Sequence, residues 1–233
     1  MKNLIVYCLA PLLLLAACRK DAKIAPIVPN KTQNTVFPTD SISYTVDGKT
    51  YTSNNAGQVT AGNTEADRKV DSVVDLSHYY ISGRKDSIFF YRTFHFSGGG
   101  SFDISFFRKY AVKDMVSNLI YYPASQGDLF NPGNYKYGTD FTRENATNGV
   151  ALAVGSAGQT YSSQTLGIPV SITPASENNA RFQVLSFKQL SNDQYTTQYV
   201  LEAKFDATLF DDNGVTKQLS NGYARVIIAV AHQ

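Results

Sequence analysis

Two arginines on a phenylalanine-rich hairpin carry the clearest pattern for ligand chemistry. The segment 87–110 reads as two strands of alternating apolar and polar residues around a glycine-rich turn. Because strand side chains alternate with a period of two, Arg92 and Arg108 fall on the apolar faces. If Phe96 faces Phe102, then Arg92 faces Phe106 and Arg108 faces Phe90. Two cations in an apolar setting need a counter-charge. The pattern predicts a pocket in which both arginines hold a carboxylate, sulfate or phosphate; alternatively, this part of the sheet reaches solvent or native acids pair with them.

Neighbouring tyrosines form a second candidate binding surface. Tyrosine combines a large apolar ring with a polar tip, which suits sugar stacking and protein contacts. The chain has 15 Tyr and no Trp, the residue that glycan platforms often use, so burial in the core is the competing interpretation. The tyrosines concerned are Tyr79, Tyr80, Tyr121, Tyr122, Tyr135 and Tyr137.

Residue patterns of common catalytic and metal sites are incomplete. The string 154–158 lacks the spacing of a nucleophile elbow, and the acidic string 211–214 lacks the alternating ligands of a calcium loop. None of the three histidines has a partner at zinc-ligand spacing, and His95 is expected on an exposed strand face. Glu202 and Asp206 share one solvated face and do not oppose each other across a cleft. We therefore predict no catalytic residue, metal or cofactor, and a hydrolase is the least favoured function.

Strands separated by turn residues dominate the rest of the chain. Asp47-Gly48 between alternating runs predicts a tight hairpin, and residues 195–209 alternate cleanly between apolar and polar side chains. The apolar parity switches after Asn221-Gly222, which predicts a β-bulge. About eleven short strands predict an all-β fold, an antiparallel β-sandwich of about 10–11 strands, with a calycin-like β-barrel as the alternative.

Three segments give less regular patterns. Ala111, Met115 and Leu119 recur at four-residue spacing before Pro123, which predicts a helix over 111–122. The polar segment 53–67 predicts a loop, and Ile168, Val170 and Ile172 predict a strand.

The first residues have the composition of an export signal. A positive start is followed by an apolar run over 4–15 and two alanines. This run is too short to cross a bilayer, which needs about 20 residues. The sequence Leu15-Ala16-Ala17-Cys18 resembles the lipobox of bacterial lipoproteins. The resemblance implies that the Cys18 thiol is acylated and that Cys18 becomes the first mature residue.

The chain therefore divides into a signal peptide (1–17), an acylated cysteine with a flexible tether (18–40) and a single all-β domain (41–233). Cys8 leaves with the leader, so the domain has no thiol for catalysis, metal binding or a disulfide. The whole chain has 21 basic and 19 acidic residues, and Lys2 is the only charged residue of the leader. This near balance does not favour a nucleic-acid partner.

Three further stretches extend the resemblance. They are the opening segment 42–51 around Val46-Asp47-Gly48-Lys49, the turn 130–135, and the closing segment 205–223. With the lipobox, they resemble the uncharacterised outer-membrane lipoproteins common in Bacteroidota. The resemblance implies an exported all-β domain but no catalytic residues. Because Arg19 is not the aspartate associated with inner-membrane retention, it also implies an outer-membrane anchor, on a face that stays open.

These patterns predict a lipid-anchored cell-envelope protein whose partners are the membrane, through Cys18, and a glycan or envelope protein. Its expected role is that of a non-catalytic binding or structural module. The alternative is a lipocalin-like carrier of a small apolar or anionic ligand.

Overall fold

The computed structural model describes residues 38–73, 79–138, 145–156, 158–164 and 180–232, which are mostly strands. Two short 3-10 helices, Val112–Asp114 and Gln126–Phe130, interrupt them. The strands are β1 (Ser41–Val46), β2 (Lys49–Ser53), β3 (Ala56–Val73), β4 (Tyr79–Ser97), β5 (Ser101–Ala111), β6 (Met115–Ser117), β7 (Tyr121–Pro123), β8 (Gly133–Tyr135), β9 (Gly149–Ser156), β10 (Gln159–Ser162), β11 (Arg181–Asn192), β12 (Thr196–Phe210) and β13 (Thr216–Ala231). The predicted all-β class is confirmed.

Eleven of these strands form one sheet in which every pair of named strands is antiparallel. The order is β2-β1-β13-β12-β10-β9-β5-β4-β3, with β11 and β8 branching from β12. Strands β6 and β7 pair separately. Within the described ranges, the two ends of the path, β2 and β3, do not pair with each other. The sheet is therefore open, and the antiparallel sandwich, not the calycin-like barrel, describes the fold.

Aromatic rings fill the space where the sheet folds over itself. Phe102 of β5 lies 4.5 Å from Tyr44 of β1 and 5.5 Å from Phe205 of β12, measured between ring centroids. Phe106 of β5 lies 5.4 Å from Phe182 of β11 in an edge-to-face arrangement. These contacts join the β3-β4-β5-β9 layer to the layer built from β1, β13, β12 and β11. Such aromatic pairs contribute beyond the apolar area that they bury.

The predicted turns occur where the sequence places them. Asp47 and Gly48 both have positive φ, 50° and 78°, and connect β1 to β2 as a two-residue hairpin. Asn221 also has positive φ, 55°, and the pairing of β13 with both β1 and β12 shifts register there. The bulge predicted at Asn221-Gly222 is therefore confirmed.

The helix predicted over 111–122 is wrong. The segment contains a three-residue 3-10 helix and then the β6–β7 hairpin, in which Val116 pairs with Tyr122. Three residues at four-residue spacing are a weak helical pattern, and the segment is rich in β-branched and aromatic residues that favour strands. Met115, Ile120 and Tyr122 pack against the core from this hairpin.

The loop predicted over 53–67 is also wrong. Most of it belongs to β3, which pairs with β4 from Ala56 to Val73. An edge strand gains its backbone hydrogen bonds from one neighbour and needs little apolar burial, so its side chains show little alternation. The strand predicted at 168–172 lies outside the described residues.

The folded domain begins before β1. The backbone carbonyl of Thr39 accepts a hydrogen bond from Arg225 Nε at 3.0 Å, and Asp40 Oδ1 accepts one from the Ile227 amide at 2.6 Å. The leader, Cys18 and the rest of the tether up to residue 37 lie outside the described residues. Among the described residues, no helix has the length and apolar character needed to cross a bilayer.

Candidate functional site

The hairpin that carries the two candidate arginines has the predicted register. In the β4–β5 pair, Phe96 faces Phe102, Arg92 faces Phe106, and Arg108 faces Phe90. The two side chains nevertheless line two separate cavities, Arg108 in one and Arg92 in the other. The structure therefore does not bring Arg92 and Arg108 together in one pocket.

Arg92 lies between the two layers, and only one hydrogen bond to a described residue holds its guanidinium. Its Nη2 donates to the backbone carbonyl of Ala229 at 2.8 Å. Its Nε is buried and has no hydrogen-bond partner among the residues that the structure describes. None of the ion pairs among the described residues includes Arg92. Burial lowers the pKa of Arg92, partly offset by the nearby Tyr122, but an arginine stays cationic at neutral pH.

A groove of about 560 Å³ opens beside this guanidinium, and we call it the Arg92 groove. This volume lies within the range of roughly 300–1,000 Å³ that is usual for small-molecule sites. The lining residues are Val59, Ala61, Arg92, Val116, Ser117, Asn118, Tyr122, Gln126, Ala229, Ala231 and His232.

Four structural elements build the Arg92 groove. Val59 and Ala61 lie two residues apart on β3, and Ala61 pairs directly with Arg92 on β4. The β6–β7 hairpin supplies a further wall and is fastened to β3, because the Asn63 side chain donates to the Tyr121 carbonyl at 3.0 Å. The end of β13 closes the remaining side with Ala229. The groove therefore combines one desolvated cation with apolar side chains from β3, β6 and β13 and with polar side chains such as Ser117 and Gln126.

Arg108 has different surroundings. Its side chain is exposed, its Nη1 donates to the Asp128 carbonyl at 3.3 Å, and its guanidinium lies 5.6 Å from the ring centroid of Tyr110. It lines a cavity of about 380 Å³ together with Tyr135. Burial raises the pKa of both Tyr110 and Tyr135 to about 12, although the nearby Arg108 opposes the shift. An exposed guanidinium is already hydrated, so Arg108 has less to gain from an anion than Arg92.

The candidate tyrosines whose side chains are described also lie in different places and do not form one surface. Tyr121 and Tyr122 are half-buried in β7, where Tyr122 lines the Arg92 groove and packs 5.8 Å from Phe90 between ring centroids. Tyr135 and Tyr137 are held in the core by hydrogen bonds from their hydroxyls to backbone carbonyls. The backbones of Tyr79 and Tyr80 pair with β3, and their side chains lie outside what is described.

A cleft lined by tyrosines and lysines was not predicted from the sequence. It measures about 260 Å³ and lies beside the β1–β2 hairpin. Lys49 lies 5.0 Å from the ring centroid of Tyr51, and Lys217 lies 4.9 Å from that of Tyr161. Lys217 also bonds to Asp47, which raises the lysine pKa. We call this the Tyr–Lys cleft; its residues come from distant parts of the chain, so no local pattern indicates it.

His95 takes part in a chain of three side chains that the sequence analysis also missed. Its Nδ1 lies 2.7 Å from Asp103 Oδ1, and its Nε2 lies 3.2 Å from Thr60 Oγ1. This order of groups resembles that of a hydrolase triad, but nucleophilic catalysis also needs oxyanion donors and a substrate pocket. None of the three residues lines any of the three cavities described above. The chain of bonds is best explained as a cross-strand link on an open sheet face.

The described residues contain no group of three or more His, Cys, Asp or Glu side chains placed to hold a metal ion. No protein-family model, curated protein or solved structure matches this chain.

Proposed function

We propose that this protein is a lipid-anchored, non-catalytic binding module of the cell envelope that binds the anionic group of a small ligand at Arg92. One observation carries the proposal: a half-buried guanidinium borders a groove of about 560 Å³ without an acidic partner among the described residues. Desolvating a charge is costly, and an anion that enters the groove would offset that cost.

The geometry leaves room for such an anion. Within the described residues, Nη2 is the only atom of the Arg92 guanidinium with a hydrogen bond. Nη1 has no such bond to a described residue, and Arg92 itself lines the groove, so this nitrogen is the free donor that the proposal assigns to a ligand. Ser117, Asn118, Gln126 and His232 line the same groove and offer further polar contacts. Charge-assisted hydrogen bonds of this kind are roughly twice as strong as neutral ones.

Calorimetric titration with acetate, sulfate and phosphate tests the anion site. A hydrogen bond to a charged group contributes about 1.5–3 kcal/mol, so Arg92→Met should weaken binding by about 10- to 150-fold. Arg108→Met is the matched control, because it removes the same charge from the same hairpin outside the Arg92 groove. Equal affinities for the parent chain and Arg92→Met would rule out Arg92 as the anion site.

The anchor in this proposal is supported by the short apolar leader and by Leu15-Ala16-Ala17-Cys18. Several acyl chains give firm membrane attachment, at about 0.8 kcal/mol per buried methylene. Metabolic labelling with a fatty acid should mark the wild-type protein and Cys8→Ala but not Cys18→Ala. A native protein that retains its leader, or whose N-terminus bears no acyl group, would contradict both the anchor and the proposed outer-membrane location.

An acidic glycan at the Tyr–Lys cleft is a second candidate ligand. The observation that favours it is the pairing of each lysine ammonium with a tyrosine ring in one cleft. Lys49 has no ion pair among the described residues, so it can meet the carboxylate of a uronic acid. Lys49→Gln should weaken binding of an oligouronate while leaving anion binding at Arg92 unchanged. Unaltered oligouronate affinity in Lys49→Gln would remove this candidate.

A further inference from the structure

The walls of the Arg92 groove differ from those of a site for a small inorganic anion. Five lining residues have purely apolar side chains: Val59, Ala61, Val116, Ala229 and Ala231. Val59 and Val116 are 41% and 40% exposed, although large apolar side chains normally gain from burial. A sulfate or acetate on Arg92 would leave these walls in water, so the groove has the composition of a site for a longer, partly apolar ligand.

The end of β13 explains how a cation and an apolar wall come to lie side by side. In an antiparallel strand, alternate residues direct their backbone groups to opposite edges. The Ile227 amide bonds to Asp40 on the edge that β1 covers, and β1 itself pairs only as far as Arg225. Ala229 lies two residues further on, so its backbone groups face a part of the same edge that no described strand covers. Its carbonyl accepts a hydrogen bond from Arg92 instead of from a neighbouring strand.

This arrangement favours an amphiphile over a peptide. A peptide that extended the sheet along β13 would need the Ala229 carbonyl as an acceptor, and Arg92 already bonds to it. An aliphatic chain needs no hydrogen bonds and lies readily against methyl groups. The lone guanidinium supplies the complementary charge for an anionic head group.

We infer that the ligand of the Arg92 groove is a single-chain amphiphile, with a carboxylate head on Arg92 and an aliphatic chain along Val59, Ala61, Val116 and the alanines of β13. The inference rests on the proposed function, because it takes Arg92 as the anion site. It adds the chemical class of the ligand and assigns a role to the apolar walls.

The experiment measures the affinities of butanoate, hexanoate and octanoate by calorimetry. The protein is the chain from residue 18 onward carrying Cys18→Ser, so that neither acyl chains nor detergent interfere. A fully buried methylene contributes about fourfold in affinity. Because Val59 and Val116 stay partly exposed in an open groove, we expect about half of that free energy, or about twofold per methylene. Octanoate should then bind about 16-fold more tightly than butanoate.

Two variants separate the head group from the chain. Arg92→Met should abolish detectable binding of butanoate and weaken octanoate at least tenfold. The double variant Val59→Thr, Val116→Thr keeps the side-chain shapes and should weaken octanoate more than butanoate, so that the octanoate advantage becomes smaller than about 16-fold. Val215→Thr is the matched control, since Val215 is 54% exposed and does not line the groove.

Each contrary result has a distinct meaning. Equal affinities for butanoate and octanoate, both lost in Arg92→Met, would overturn the amphiphile and leave the proposed anion site intact. An octanoate affinity that is unchanged in Arg92→Met would overturn both the amphiphile and the proposed anion site. Tighter binding of a short alanine peptide with a free carboxylate than of octanoate would overturn the amphiphile in favour of strand addition. Absence of binding by every carboxylate and by sulfate would overturn the proposed function itself.

Discussion

Replacing Arg92 by methionine should make the domain more stable, although it removes a cross-layer hydrogen bond. The buried Nε, which has no partner in the described part of the chain, carries a desolvation cost of about 1–3 kcal/mol, which methionine removes. The bond from Nη2 to Ala229 faces the open groove, so its net contribution is about 0.5–1.5 kcal/mol. The Ala229 carbonyl left behind borders the groove and can be hydrated. The balance predicts that Arg92→Met raises the free energy of unfolding by about 1 kcal/mol.

Urea denaturation followed by tyrosine fluorescence measures this change. With a slope of about 2 kcal/mol per molar urea, the midpoint should rise by about 0.5 M at unchanged slope. Arg108→Met should shift the unfolding free energy by less than about 0.5 kcal/mol, because Arg108 is exposed. A loss of 1 kcal/mol or more in Arg92→Met would refute the reasoning, since Arg92 would then be a structural tie between β4 and β13 and not a binding group held at a cost to stability.

Three further predictions concern the core and its pH dependence. Phe106→Ala should lower the free energy of unfolding by about 3–5 kcal/mol in urea denaturation, because the buried ring contacts the aromatic rings of both layers; a loss below 1 kcal/mol would contradict this. Gly222→Ala should lower the free energy of unfolding by about 1–3 kcal/mol in the same measurement, because the new Cβ would lie 2.1 Å from a ring carbon of Phe205. Unchanged stability would mean that the bulge can open. Burial raises the pKa of Tyr110 and Tyr135 to about 12, so the folded state binds more protons than the unfolded state above pH 10. The free energy of unfolding should therefore fall between pH 10 and 12. Absorbance at 295 nm should show these two phenols ionising after the exposed tyrosines.

Local rules predicted the hairpins of this fold well. Asp47, Gly48 and Asn221 have positive φ, which few residues adopt readily, so Asp-Gly and Asn-Gly each indicate a turn or bulge where they stand between strands. The strict alternation over 195–209 likewise predicted β12, because one buried face imposes a period of two.

Weakly patterned segments were predicted poorly for a shared reason. The residues of β3 were assigned to a loop, and the β6–β7 hairpin was assigned to a helix. Both are held by partners that lie outside their own sequence. Strand β3 is stabilised by the backbone of β4, and the hairpin is stabilised by core contacts through Met115 and Tyr122. Propensity within a short window cannot report such partners.

The candidate site shows the same division between local and tertiary information. Side-chain alternation by itself determined that Arg92 and Arg108 stand on the core-facing side of one hairpin. Their register against Phe106 and Phe90 followed from pairing Phe96 with Phe102 across the turn, and the structure has that pairing. Only the tertiary structure decided that the two cations separate, one into the Arg92 groove and the other to the surface. That outcome depends on Ala229, which is 137 residues from Arg92 along the chain and meets it where one layer of the sandwich folds over the other. A period of two describes which face of a strand a residue occupies, whereas the packing of the layers determines what that face meets.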